Sequence, residues 1–245
     1  MPVLEWSDAA SVRMVVGCAG DRVTVGACKL AQTLAPSIRF HRYGHRMETR
    51  MATPARGLVM LMTVDEHLVH PSPEGVKTEL VRGELRLSPS PGIPHGCAVF
   101  SIVGMLMAYV RPNRLGRVFG DSVGYELVQL PRTVRVPDAS FVRADRVPPQ
   151  GFGHGTRLFD FAPDLAVEVM SPSETASQLQ EKLDDFLSAG TTLIWVVDPV
   201  RRTVRIVSTT VPETLLHESD TMTGGHVLPE FSCVVEEIFD DIARE

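Results

Sequence analysis

A carboxylate stands in the middle of an apolar strand: Asp164-Leu165-Ala166-Val167-Glu168-Val169-Met170. Near-continuous apolar runs of this length read as strands covered on both faces. An ionised Glu168 in such a place costs several kcal/mol unless a cation, a metal or hydrogen bonds compensate it. Whatever this chain folds into must therefore bring positive charge to Glu168.

Two compensators are visible. The first is Lys182, on a helix that the pattern places over 173–189, with Ser171 or Ser173 as N-cap and Gly190 ending it. Ala176, Leu179, Leu183, Phe186 and Leu187 form one apolar arc, and Lys182 falls at its edge. Glu181, Asp184 and Asp185 read as solvent-facing, so the buried side of the helix offers one cation. The second compensator is a divalent metal, which needs a further oxygen ligand. Asp138 supplies one, in Thr133-Val134-Arg135-Val136-Pro137-Asp138-Ala139-Ser140-Phe141-Val142. Pro137 cannot donate to a ladder, so this strand is broken or bent where Asp138 is presented. A hard cation such as Mg²⁺ is bound through one or two carboxylates, with water and substrate phosphate completing its shell.

The order Pro137-Asp138, then Glu168, then a lysine resembles the PD-(D/E)XK nuclease constellation. That superfamily usually carries its lysine two residues after the second acid, where this chain has Met170. A lysine moved to the following helix is similar to the Uma-two family, a large bacterial group assigned as restriction endonucleases. Further stretches share the resemblance: Thr78-Glu79-Leu80-Val81-Arg82-Gly83-Glu84-Leu85, Ser88-Pro89 and His95, Ser171-Pro172-Ser173, Trp195-Val196-Val197-Asp198-Pro199 and Val227-Leu228-Pro229-Glu230-Phe231. Together they span roughly residues 60 to 240. Phe186 stands where the family usually has Tyr, and Glu230 where it usually has Gly.

The resemblance implies a restriction-endonuclease-like core and a Mg²⁺-dependent endonuclease acting on DNA, with Mn²⁺ as the alternative ion. Asp138 and Glu168 would hold the metal, and Lys182 would orient water or offset charge on phosphorus. Glu84 would complete the outer sphere or carry a second ion, and His95 would contact phosphate or assist proton transfer. Blander roles stay open: a turn cap for Asp138, a snorkelling edge residue for Lys182, an exposed strand position for Glu84 and a capping or buried neutral histidine for His95. The alternative function is a weakly active or inactive nuclease-fold module that binds nucleic acid or a protein partner.

The coarse pattern is that of an α/β protein, a mixed β-sheet flanked by helices. A short helix over 63–70 leads to a strand over 79–87, a Pro-rich turn over 88–94 and a buried helix over 96–110. Strands at 117–119, 124–130 and 133–142 read as a meander, and 147–155 as a loop. The Glu168 strand, the Lys182 helix and a strand over 192–197 form a parallel crossover unit, expected to be right-handed. A strand over 203–208 and a helix over 234–243 close the chain.

At 245 residues and 44% hydrophobic content, one sizeable core is affordable, and a domain over 56–245 is expected to contain it. Residues 1–55 read as a poorly ordered extension. Their first fifty residues hold seven Lys and Arg against four Asp and Glu, whereas the rest holds seventeen against twenty-six. Cys28, His41 and His45 match half of a zinc-finger spacing, but Cys18 lies too far upstream to complete it. The four scattered cysteines fit reduced thiols, and the apolar run 98–110 is shorter than a bilayer span. With no signal-peptide pattern, these features predict a cytoplasmic protein that does not engage membranes. The net charge of −6 lacks the basic excess of many DNA-binding proteins, although Arg111, Arg114 and Arg117, or Arg132 and Arg135, could supply a local groove. Cleavage of both strands would favour a homodimer.

Overall fold

The computed structural model describes residues 63–69, 76–129, 132–154, 156 and 158–243, and the strand backbone of 2–8, 11–18 and 21–25. The chain divides into two units, Met1–Met62 and Thr63–Glu245. In the first, β1 (Pro2–Asp8), β2 (Ser11–Cys18) and β3 (Asp21–Val25) pair as an antiparallel meander. The remainder of the expected 1–55 extension, including Cys28, His41 and His45, lies outside the described residues.

The second unit opens with α1 (Val64–Val69), followed by β4 (Val76–Val81) and β5 (Glu84–Pro89). Where the sequence pattern reads a single strand over 79–87, the backbone makes a tight hairpin. Arg82 and Gly83 form its two-residue turn with φ of 51° and 81°. Two consecutive positive φ values match the twist of the flanking strands, and the glycine makes the turn accessible.

Next comes α2 (Ile93–Val110), with Pro94 in its first turn where a missing N–H is tolerated. Its Ala98, Ile102, Leu106 and Val110 repeat every four residues and are fully buried. This is one buried stripe rather than the wholly buried helix suggested by composition, since Ile93 and Phe100 remain exposed. By length and composition α2 could cross a bilayer, but the Ala98 stripe is committed to the protein core.

The remaining strands are β6 (Gly116–Gly120), β7 (Gly124–Gln129), β8 (Arg132–Arg135), β9 (Ala139–Arg143), β10 (Leu158–Phe159) and β11 (Leu165–Val169). They continue, after helix α3 (Ala176–Ser188), as β12 (Leu193–Asp198), β13 (Thr203–Ser208), β14 (Thr214–Leu216), β15 (Thr221–Gly224) and β16 (Leu228–Val234). A six-stranded sheet runs β14-β13-β12-β11-β9-β6, and a five-stranded sheet runs β10-β7-β8-β4-β5. In the six-stranded sheet β11 and β12 pair in parallel and their neighbours antiparallel, so the parallel pairing across α3 is as the pattern predicts.

Period-two alternation decides what each face of this sheet meets. Leu165, Val167, Val169, Leu193, Trp195 and Val197 pack on one side with the α2 stripe. Ala166, Ile194 and Val196 pack on the other with Leu179, Leu183 and Phe186 of α3. Glu168 belongs to the second set by register, so it faces α3. Phe186 is fully buried and brings no hydroxyl that would require a partner.

The predicted 133–142 strand is two strands in two sheets. Its Pro137-Asp138 segment is the corner between β8 and β9, where the chain leaves the five-stranded sheet for the six-stranded one. The expected terminal helix is a short 3₁₀ segment, Val235–Phe239, after the β15–β16 hairpin. Val235, Ile238 and Phe239 cover the α2 side of the core, so burial is achieved without a full helix. Within β16, Glu230 adopts φ of 65°, a left-handed conformation costing a residue with a side chain about 1–2 kcal/mol.

Helix α3 begins later than predicted. Thr175, rather than Ser171 or Ser173, is the N-cap: its hydroxyl accepts from the Gln178 amide, and the Gln178 side chain accepts from Thr175 N at 2.9 Å. This is a reciprocal capping box. Ser171 and Ser173 hydrogen-bond each other at 2.9 Å instead. Gly190, at φ of 103°, follows the helix end as expected. Thr175→Ala is expected to lower stability by about 1 kcal/mol in urea unfolding, because the Gln178 amide loses its acceptor.

Candidate functional site

Each strand contributes through its local geometry. On β4, Lys77 and Glu79 are two residues apart and share a face; the β8–β9 corner presents Asp138; β11 presents Glu168. From α2 comes His95, in the first helical turn, and from α3 comes Lys182. A cleft of about 720 Å³ opens over them, lined among others by Lys77, Glu79, His95, Asp138, Glu174 and Lys182, with the 88–92 loop at its edge.

Asp138 is tied to the Glu168 strand by backbone as well as side chain. Its amide donates to Val167 O at 3.0 Å, and its Oδ2 accepts from Val169 N at 2.8 Å. The same oxygen lies 3.2 Å from His95 Nε2, while Oδ1 accepts from Lys77 Nζ at 2.8 Å. Burial alone would raise the Asp138 pKa, but the His95 hydrogen bond and the Lys77 ammonium outweigh it and hold the carboxyl well below its usual range.

Glu168 is 1% exposed and behaves oppositely. Its Oε2 accepts from Lys182 Nζ at 3.3 Å, and its Oε1 is buried without a hydrogen-bond partner. Burial pushes its pKa up to about 7; Lys182 pulls against that rise and Asp138 adds to it. Lys182 also pairs with Glu174 at 2.8 Å, and its carboxylate neighbours keep it protonated despite burial.

Glu79 completes a buried ionic layer beneath the cleft. Arg135, its side chain 3% exposed, donates to Glu79 Oε2 at 3.1 Å and to Asp185 Oδ2 through Nε at 2.9 Å and Nη2 at 2.6 Å. Val136 N donates to Glu79 Oε1 at 2.9 Å. Burial opposes ionisation of Glu79, yet Lys182, Arg135 and Lys77 together hold its pKa below the ordinary value. Asp185 is therefore buried, contrary to its solvent-facing assignment, because Arg135 meets it from the neighbouring sheet. Arg82, from the hairpin turn, adds ion pairs to Glu181 and Asp185.

Asp138, Lys182 and His95 thus line one cleft, and Glu168, buried behind its lining, joins them through its hydrogen bond from Lys182. Glu84 is not among the groups gathered there: it sits beside the hairpin turn, its side chain 43% exposed, 3.6 Å from Arg86. Glu79 is the buried acid of that segment. The spacing contained a signal for it, since Lys77, Glu79 and Val81 alternate on one face of β4, but only the turn at Arg82-Gly83 separates that face from Glu84. Lys77 was also missed; no local pattern marks it, because its partner is sixty-one residues away.

The acids suit a hard cation. Glu168 Oε1 is buried without a hydrogen-bond partner, whereas Asp138 Oδ1 is met by the Lys77 ammonium, so one carboxylate oxygen lacks a cation and the other already holds one. Among the described residues no group of three or more His, Cys, Asp or Glu is placed to hold a metal ion. Two carboxylates with an open cleft instead match the water- and phosphate-completed shell of Mg²⁺.

The family model Uma2, described as "Putative restriction endonuclease", matches residues 64–236. A crystal structure at 1.96 Å from Anabaena variabilis, described as "a putative nuclease belonging to DUF820", is similar in fold: TM-score 0.63 and 22% identity, over 73% of this chain and 97% of that one. No curated protein matches.

Proposed function

The chain belongs to the Uma2 family, and from that premise we propose that it is a metal-dependent endonuclease that hydrolyses phosphodiester bonds of DNA. The observation that carries this reading is the pairing of two buried carboxylates of opposite tendency: Asp138 saturated with donors, Glu168 with an oxygen left open.

Asp138 and Glu168 would hold Mg²⁺ or Mn²⁺. When bound, such an ion supplies Lewis-acid polarisation of the phosphodiester and makes water a better nucleophile at neutral pH. The residues of the chain then divide the remaining work. Lys182, held between Glu168 and Glu174, presents an ammonium at the cleft and offsets charge developing on phosphorus. His95, exposed to the cleft on one side and bonded to Asp138 on the other, positions the acid and can pass a proton. The negative charge of Glu79 favours the protonated forms of Lys77 and Lys182. The activity is proposed to be cytoplasmic.

Incubation with supercoiled plasmid tests this. Nicking is expected with Mg²⁺ or Mn²⁺, none with chelator, and a loss of at least about a hundredfold in both Asp138→Ala and Lys182→Ala. Plasmid binding without metal-dependent nicking would instead support a nuclease-fold binding module.

A further inference from the structure

Lys77 is the charge at this site that neither the family resemblance nor the superfamily motif assigns. It reaches from the first strand of the second unit, makes the shortest charged contact to Asp138, and remains 21% exposed at the cleft wall. Its position raises a problem of occupancy. Asp138 Oδ2 is already engaged by Val169 N and His95, so Oδ1 is the oxygen through which Asp138 would meet a metal, and Oδ1 is where Lys77 sits.

We propose that Lys77 is an exchangeable placeholder cation: it neutralises Asp138 until a divalent ion takes that oxygen, and the freed ammonium then binds the incoming phosphodiester. This rests on the metal-site reading above. Without metal, Lys77 and Lys182 each neutralise one of the two acids. A divalent ion takes over both neutralisations and leaves two ammonium groups at the wall of the cleft, where a phosphate is the complementary partner. A lysine suits the exchange because its charge rides on four flexible methylenes, so it can leave Asp138 without moving β4. Arg135, by contrast, is held by three hydrogen bonds to the buried Glu79 and Asp185 carboxylates.

A merely structural Lys77 and an exchanging one predict different signs. In Lys77→Met, measured at pH 8, the affinity for Mn²⁺ alone, read by electron paramagnetic resonance of the free ion, is expected to increase about tenfold, since the competing charge is gone. Nicking at saturating Mn²⁺ is expected to fall about a hundredfold, because the phosphate-facing ammonium is missing. Lys77→Arg retains the charge and is expected to keep wild-type or weaker Mn²⁺ affinity. Unchanged or weaker Mn²⁺ binding by Lys77→Met, or undiminished nicking, overturns the exchange. Should Lys77→Met not fold, Lys77→Gln, whose amide still donates to Asp138, carries the same two expectations. If wild-type protein binds no Mn²⁺, the metal-site reading itself fails and takes the exchange with it; wild-type binding with no gain in the variant removes the exchange alone.

Discussion

Glu168→Gln is expected to make the protein more stable and nearly inactive at once. In the metal-free protein at pH 8, urea unfolding should show a gain of about 3 kcal/mol over wild type, and metal-dependent plasmid nicking should drop on the order of 10³-fold. The stability half follows from linkage. Burial raises the Glu168 pKa from 4.5 to about 7 in the folded protein, with Asp138 adding to the rise and Lys182 resisting it. Below pH 4.5 the carboxyl is protonated in both states and contributes nothing. Between pH 4.5 and about 7 the unfolded chain releases the proton while the folded one keeps it, so wild-type stability declines as pH rises. Above about 7 the full cost is present. Glutamine fills the same space without ionising, so the advantage of the variant should vanish below pH 4.5 and be complete above 7. The activity half follows because an amide cannot supply the negative oxygen that a hard cation requires. Added Mn²⁺ should accordingly raise the wild-type melting temperature and leave that of the variant unmoved. A variant less stable at pH 8, or one that still nicks within tenfold of wild type, would show that Glu168 is an ordinary ion-pair partner of Lys182.

The second large effect is structural. Arg135→Met is expected to lower stability by about 3–5 kcal/mol, because it strands Glu79 and Asp185 as buried carboxylates without their guanidinium. Arg82 reaches Asp185 only from a half-exposed position at 3.3 Å and cannot substitute for the lost contacts. Adding Asp185→Leu and Glu79→Gln to Arg135→Met should recover a large part of the loss, since apolar or neutral groups of similar size remove the unpaired charges. Urea unfolding of the single and triple variants measures both. A single-variant loss under about 1 kcal/mol would mean that water reaches this layer and that the ion pairs are worth no more than surface ones.

The parts of this protein that could be read in advance share a property: their information is local. The β11-α3-β12 unit is legible because an apolar run, a helical arc and Gly190 follow one another within thirty residues. Glu168 is legible because an acid in an apolar strand requires explanation wherever the strand goes. The misreadings arise where a distant partner overrides the local pattern. Asp185 has the helical phase of a solvent residue and is buried because Arg135, fifty positions upstream, lies against it. Glu84 was singled out over Glu79 while 79–87 read as one strand. The two-residue turn at Arg82-Gly83 puts one at the hairpin tip and the other in the core. A turn that begins on arginine at φ of 51° lacks the Asn-Gly or Asp-Gly signature that would have announced it.

Lys182 and Asp185 lie three residues apart on α3, one reaching toward the acids and the other fastened by Arg135 to the sheet behind them. The ammonium and its mooring therefore ride on a single rigid rod. Had the lysine come from β11 itself, its aim would follow the strand. Here it follows how the helix seats, and any change that loosens the mooring misdirects the amine before it unfolds the protein.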